Sequence, residues 1–263
     1  MSNFSLFKLP EAPKFLDESL TPASQEIGKT LGNIFYAVFS VVNYPIEKLR
    51  IKQVENLKKY EQDIKEELYG IPEDKLIDPP LNIVGPALEA SKFYIEKEDL
   101  RKMFAKLISS SMNVDLTNYS HPSFIEIIKQ FDSVEAQMIK FISERSFLPY
   151  IELIHSATGN DLVSMPIIEP YTKVEGVAAD YSTISASIKN LQRLGLIHLV
   201  PISMSVDKPF IEELINDEAF NDYRNLKEGF GEENFALENI GFKIKTGNIL
   251  LTSYGLRFVK VCL

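Results

Sequence analysis

The sequence predicts a mainly α-helical protein, in which an N-terminal helical bundle is followed by a small α+β region. Two observations carry this prediction. Through the first 146 residues, apolar side chains recur at the three- and four-residue spacing of helix faces. After Pro149 the pattern changes to short apolar runs around isolated helical segments, which is typical of strands mixed with helices.

The composition is that of a folded, acidic protein. The 263 residues are 45% hydrophobic and 25% charged, which excludes an intrinsically disordered chain. The net charge of −9 provides no overall positive field that would attract nucleic acid or anionic lipid. Cys262 is the only cysteine, so an internal disulfide and a site of several thiolates are excluded. The first 13 residues lack a secretory signal pattern, so we expect a cytoplasmic protein, with peripheral association at the inner membrane as the alternative.

We expect three regions along the chain. Residues 1–20 contain two prolines and predict an irregular N-terminal arm. Residues 21–146 predict a helical domain. Residues 147–263 predict a winged-helix-like α+β domain, interrupted by an acidic insertion over 203–239.

Several helices of the helical domain have clear sequence signals. Thr21 followed by Pro22 predicts the start of the first helix, with the threonine as its cap. The charged amphipathic segment 46–69 predicts a second helix with one solvated face. Residues 96–113 predict a helix that faces the core. Its apolar stripe consists of Leu100, Met103, Phe104, Leu107, Ile108 and Met112.

Polar caps mark two further helix starts. His121 or Ser120 precedes Pro122 at the beginning of an apolar helical stretch, so capping explains His121 more simply than catalysis does. Asp132 and Glu135 have the spacing of a capping box, which predicts another helix that ends near residue 146.

An uncharged run of 17 residues, Thr30 to Ile46, has two interpretations. The first is a helix buried in the bundle or against a partner. The second is insertion into a membrane or binding at its interface, although a spanning helix needs roughly 20 predominantly apolar residues. Under either interpretation the candidate interaction surface consists of Phe35, Val38, Phe39 and Val42.

The C-terminal region has the order of elements found in a winged helix. Residues 185–191 predict the second helix of a helix-turn-helix, and 194–197 predict the turn that leads into the wing. Residues 242–245 and 248–252 predict two strands about a turn at Gly247, followed by a last helix.

The candidate contact residues of this winged helix are Lys189, Asn190 and Arg193. A helix that reads DNA needs such side chains together with surrounding charge that neutralises phosphates. The segment before the predicted wing is acidic, so a structural or protein-docking role is favoured and nucleic acid is not the expected partner.

The sequence contains no recognisable catalytic or metal-binding motif. His121, His155 and His198 lie far apart in the chain, without metal-ligand spacing. Gly28 is followed by a lysine and a threonine, as at the end of a phosphate loop, but the glycine required five residues earlier is missing. We therefore expect no cofactor and no metal, and the sequence does not predict an enzyme. The sign of an unfamiliar active site would be polar groups that converge in a deep pocket near His121 and Glu126.

The central stretch resembles a known family. Residues 71–80 lead into Ile83-Val84-Gly85-Pro86-Ala87-Leu88-Glu89-Ala90-Ser91, and Phe104-Ala105-Lys106-Leu107-Ile108 follows on the next helix. The most specific block consists of His121, Pro122, Ser123, Phe124, Ile125 and Glu126. With these residues the chain resembles the abortive infection alpha family over nearly its whole length.

The resemblance implies a role in bacterial or phage-borne defence, in which infected cells are shut down. It brings no catalytic residue, cofactor or substrate, and the residues of the specific block have a structural interpretation. We therefore expect a defence-associated protein that binds a protein partner, either a phage or a host factor. A membrane-perturbing effector that uses residues 30–46 and a winged-helix regulator that binds nucleic acid are the alternatives, and self-association remains open.

Overall fold

The structure is a computed structural model and describes residues 11–40, 47–156, 164–202, 208–221 and 242–263. The helices are α1 Pro22–Phe39, α2 Glu47–Tyr69, α3 Leu81–Ser91, α4 Glu98–Ser111, α5 Ser123–Ile128, α6 Ser133–Ser143, α7 Tyr181–Arg193, α8 Lys208–Ile215 and α9 Ser253–Cys262. The strands are β1 Leu148–Ser156, β2 Ser164–Tyr171, β3 Ile197–Val200 and β4 Phe242–Leu251. The fold is thus mixed, with a large helical part and a curled antiparallel sheet.

The chain divides into two compact units. The first reaches from the N-terminal residues to Ala136 and also contains Arg257–Leu263, and the second is Gln137–Leu256. Helix α6 and helix α9 therefore each contribute residues to both units. The domain boundaries 21–146 and 147–263 stay predictions, and most of the acidic insertion 203–239 lies outside the described residues.

Helix α1 begins as the sequence predicts. Thr21 is its cap and Pro22 its first residue. A carboxylate from outside the helix completes this start, because Glu73 Oε2 accepts hydrogen bonds from Thr21 N at 2.8 Å and from Ser24 Oγ at 2.9 Å. These hydrogen bonds lower the pKa of Glu73.

The segment 11–20 crosses α1 at two glycines. It contains neither helix nor strand, but Phe15 is fully buried and its ring lies 5.4 Å from that of Phe35. A Cβ atom on Gly32 would lie 2.2 Å from Pro13 O, and one on Gly28 would lie 2.7 Å from a side-chain atom of Leu16. The backbone of this segment can therefore lie against the helix only because both positions are glycine.

Two residues of the candidate surface on the apolar run lie in the core. Phe35 and Phe39 are 0% and 2% exposed, and the Phe39 ring packs against that of Tyr60 on α2 at 6.2 Å. These rings fill the core of the first unit and do not face a partner. Val38 is only half-buried, whereas Val42 lies outside the described residues. Among the described helices, none combines the length and the apolar character that a membrane crossing requires.

Helices α2 and α4 form the centre of the first unit. The predicted stripe of α4 is confirmed, since all six of its apolar residues are buried. Two ion pairs join the two helices, Asp63–Arg101 at 2.6 Å and Glu67–Lys106 at 2.6 Å, and their order shows that the helices run in parallel. A third pair joins Lys52 of α2 to Glu96, which lies just before α4, at 3.1 Å. Arg101 is buried and also donates to Ile95 O at 3.3 Å.

The second unit is built on one antiparallel sheet with the strand order β2-β1-β4-β3. Strand β1 pairs with β4 from Leu148 opposite Ile249 to His155 opposite Phe242. Helix α7 lies between β2 and β3 in the chain, and Gly195, with φ +73°, follows it within the turn predicted at 194–197.

The two strands expected at 242–245 and 248–252 are in fact the single strand β4, so this prediction is wrong. Gly247 is not in a turn but lies opposite Tyr150 in the sheet. A Cβ atom there would lie 2.4 Å from Val200 O and 2.6 Å from the Tyr150 ring. Only glycine fits at this position, because any side chain would collide with Val200 O and the Tyr150 ring. Without the expected pair of strands, the winged helix is not confirmed.

Substitution of Gly247 tests this interpretation. We expect Gly247→Ala to lower the free energy of unfolding by about 1–3 kcal/mol or more, because the added methyl group meets a backbone oxygen that cannot move aside. Gly70→Ala is the control, since its Cβ would come no closer than 3.4 Å to a neighbour and should change stability by at most about 1 kcal/mol. Urea denaturation followed by circular dichroism measures both, and equal effects would contradict the role of Gly247.

A second prediction concerns the buried ion pair. Arg101→Met leaves the Asp63 carboxylate buried without a partner, so we expect a loss of roughly 3–5 kcal/mol in the free energy of unfolding. The double variant Arg101→Met with Asp63→Leu should recover most of that loss, because no charge is then buried. Lys102→Ala, which breaks an exposed pair with Glu98, should cost less than about 1 kcal/mol in the same assay. A double variant as unstable as the single one would show that the pair is not the cause.

Candidate functional site

The turn before α5 contains His121, whereas the cap position expected for His121 or Ser120 is occupied by Pro122. Its Nδ1 accepts a hydrogen bond from Ser123 N at 3.1 Å and lies 2.6 Å from Ser123 Oγ. Its carbonyl oxygen accepts from Phe124 N at 3.0 Å. Because Nδ1 accepts the backbone N–H, a neutral imidazole carries its proton on Nε2. His121 is exposed, and its ring and its backbone oxygen both accept hydrogen bonds from the first residues of α5.

An aromatic cluster lies beneath this turn. Phe124 and Phe258 are fully buried, with ring centroids 5.4 Å apart and nearly perpendicular planes. Phe131 packs on the other side of Phe258 at 5.7 Å. The three rings join the α5 region to the C-terminal half of α9, a contact between residues more than 120 positions apart in the chain.

Two further residues of the predicted block lie at the surface. Pro122 and Glu126 are exposed. The Glu126 carboxylate pairs with Lys129 Nζ at 2.8 Å on the same side of the helix. Phe124 and Ile125 of this block lie in the core, and the polar members lie in the turn and on the helix surface.

Next to the turn, α9 places two cations on one tyrosine. Lys260 Nζ lies 3.5 Å from the centroid of the Tyr119 ring, and the Arg257 guanidinium carbon lies 5.9 Å from it. Arg257 Nη2 donates to Asn118 O at 2.8 Å and to Tyr119 O at 3.5 Å. We call Tyr119, Arg257 and Lys260 the basic corner. It is exposed, and all of it belongs to the first unit.

The basic corner has an excess of unused hydrogen-bond donors. Within the described residues, neither Arg257 nor Lys260 forms an ion pair with a carboxylate. The carboxylate of Asp115, four residues before Tyr119, is already paired with Lys75. Arg257 Nε and Nη1, Lys260 Nζ and the Tyr119 hydroxyl therefore remain available to an anion.

The predicted contact residues of α7 are arranged differently. Lys189 Nζ pairs with Glu169 Oε2 at 2.9 Å, and Arg193 Nη2 donates to Asn190 Oδ1 at 2.7 Å. Partial burial raises the pKa of Glu152 on β1, while the charge of Lys189 opposes that rise. Lys189 on α7 thus interacts with the carboxylates of Glu169 on β2 and Glu152 on β1. These residues belong to the second unit and are not part of the basic corner.

The other two histidines, His155 and His198, lie far apart in the second unit. His155 and His198 lie opposite β4 residues that are eight positions apart, Phe242 and Leu250, which corresponds to about 27 Å along the strand. No group of three or more histidine, cysteine, aspartate or glutamate residues in the described part of the chain could hold a metal ion. Burial raises the pKa of the Cys262 thiol, which disfavours the reactive thiolate.

Sequence reasoning missed the basic corner. The available signal was the spacing of Arg257 and Lys260, which places both on one face of a helix. Nothing in the local sequence indicates that this face meets Tyr119, because the contact joins distant parts of the chain.

The structure is that of a mixed, largely helical protein of two compact units, one of which contains an antiparallel sheet. The family described as abortive infection alpha matches residues 52–262. The chain belongs to this family, so the resemblance inferred from the sequence is confirmed.

Other comparisons add little. No curated protein matches the chain. One solved structure, an uncharacterized protein from the hydrocarbon-degrading marine bacterium Alcanivorax borkumensis SK2, is similar to 53% of this chain and to 94% of its own. The two are 12% identical with a TM-score of 0.37. The family membership is thus the finding that bears on function.

The aromatic cluster that supports the basic corner can be tested by truncation. We expect Phe258→Ala to lower the free energy of unfolding by roughly 3–5 kcal/mol, because it removes a fully buried ring. Leu256→Ala on the same helix is the control, since Leu256 is 56% exposed and its truncation should cost no more than about 0.5 kcal/mol. Urea denaturation of both variants measures the difference. Similar losses would mean that α9 does not depend on this cluster.

Proposed function

We propose that this protein acts in abortive infection by binding a partner protein, and that the basic corner is part of the contact surface. Membership of the abortive infection alpha family supports the biological role. One observation supports the choice of this surface. Arg257 and Lys260 present unused donors at an exposed tyrosine, in a chain whose net charge is −9. Isolated positive patches of this kind promote and orient association with a partner of opposite charge.

We assign recognition, and not catalysis, to the region around the His121 turn. His121 Nδ1 accepts a hydrogen bond from Ser123 N ahead of α5, and Glu126 is paired with Lys129. The partner is a phage or host factor in the cytoplasm.

A winged-helix nucleic-acid regulator receives less support. The cations of α7 on which it would depend are engaged within the protein, Lys189 with Glu169 and Arg193 with Asn190. A membrane effector built on the apolar run is likewise less favoured, because Phe35 and Phe39 are buried in the first unit. Both alternatives are outcomes that the following experiment distinguishes.

The test is phage challenge of bacteria that express the full-length chain. We expect Arg257→Glu with Lys260→Glu to reduce protection to the level of cells with an empty vector, because the contact surface changes sign. Lys29→Glu with Lys58→Glu is the matched control, since it alters the net charge equally at two exposed lysines of the same unit. Plating efficiency measures protection, and immunoblotting checks that all variants accumulate equally.

The alternatives have their own signatures. Full protection by the Arg257 and Lys260 variant would exclude the basic corner as the contact surface. Loss of protection on Lys189→Glu, together with salt-sensitive DNA binding of the purified chain, would favour the nucleic-acid regulator. Leakage of a membrane-impermeant dye in challenged cells, with flotation of the purified protein on liposomes, would favour the membrane effector.

A further inference from the structure

We infer that the basic corner recognises an acidic segment of its partner, in which a carboxylate binds Arg257 and a neighbouring carboxylate binds Lys260. This inference rests on the proposed function, because it names the chemistry of the partner that the same surface binds. It follows from the donors that each side chain of the corner leaves unused.

Arg257 is held in place and yet incompletely used. Its Nη2 group donates to the backbone oxygens of Asn118 and Tyr119 at 2.8 and 3.5 Å, which fixes the plane of the guanidinium. Within the described residues Nε and Nη1 have no acceptor. A guanidinium presents its N–H groups as a planar fork that matches the two oxygens of a carboxylate. Arg257 is therefore an oriented carboxylate receptor.

Lys260 is fixed by a ring and not by a counter-ion. Its Nζ lies 3.5 Å from the centroid of the Tyr119 ring, which is within the range of a cation–π interaction. The ring orients the ammonium group without neutralising it, so its N–H donors remain open to a carboxylate. Because the lysine is already ordered, binding costs less side-chain entropy than binding at a mobile surface lysine.

Charge complementarity favours an acidic protein segment over nucleic acid. The corner offers two neighbouring cations on an acidic chain, so a polynucleotide would meet overall repulsion and find few groups to neutralise its phosphates. A short acidic segment needs only two or three carboxylates, which the corner can bind locally. The Tyr119 hydroxyl, which has no partner in the described part of the chain, supplies one further donor.

The experiment measures binding of a fluorescein-labelled twelve-residue polyglutamate peptide to the purified full-length chain by fluorescence anisotropy. A twelve-residue polyglutamine peptide and a labelled twenty-base-pair DNA duplex are the comparison probes. We expect the glutamate peptide to bind and Arg257→Glu with Lys260→Glu to weaken that binding at least tenfold. Lys29→Glu with Lys58→Glu should leave it within about twofold, and Tyr119→Phe should retain binding better than Tyr119→Ala.

Each result decides between the claims. Absence of peptide binding by the unaltered chain, or an equal loss in the two charge-reversal variants, would overturn the acidic-segment inference. Tighter binding of DNA than of the peptide, abolished by the Arg257 and Lys260 variant, would assign the corner to nucleic acid instead. If that variant loses the peptide but still protects against phage, the binding chemistry stands and the proposed function fails. If it loses protection while its peptide binding is unchanged, the proposed function stands and the inference fails.

Discussion

The packing of Phe258 between Phe124 and Phe131 determines where the last helix lies in the first unit. Three perpendicular or steeply inclined rings form a contact that is both apolar and directional, so α9 can rotate little about its own axis. On a helix fixed in this way, Arg257 and Lys260 lie at the exposed ring of Tyr119. The surface to which we assign recognition thus depends on a buried contact that carries no charge.

Close backbone contacts at glycines position other segments within each unit. At Gly32 the segment 11–20 lies against α1, and at Gly247 the β4 backbone lies against Val200 and the Tyr150 ring. Gly255 allows a similar approach, since a Cβ atom there would be 2.0 Å from Leu196 O. These glycines do not serve as turns. They remove the side-chain volume that would otherwise hold neighbouring backbone segments apart.

The sequence predicted the parts of the fold that depend on local order. The α4 stripe, the Thr21 cap and the end of α7 at Gly195 follow from periodicity and capping, which involve residues a few positions apart. Gly247 was misinterpreted because a glycine between two apolar runs has the same local pattern in a hairpin turn as in a crowded strand.

The environment of the apolar run and the contact at Tyr119 also depend on residues distant in the chain. Phe35 and Phe39 could have faced solvent, a membrane or a core, and only the buried ring of Tyr60 on another helix decides between these environments. Arg257 and Tyr119 are 138 positions apart in the chain, so no local pattern could indicate their contact.

The position of Cys262 has a practical consequence. The only thiol of the chain is buried on the helix that carries the basic corner, and a thiol reagent reacts with the exposed thiolate. Its alkylation therefore requires that the end of α9 first leave its place in the first unit. The alkylation rate of the native protein therefore reports how readily the end of α9 opens locally.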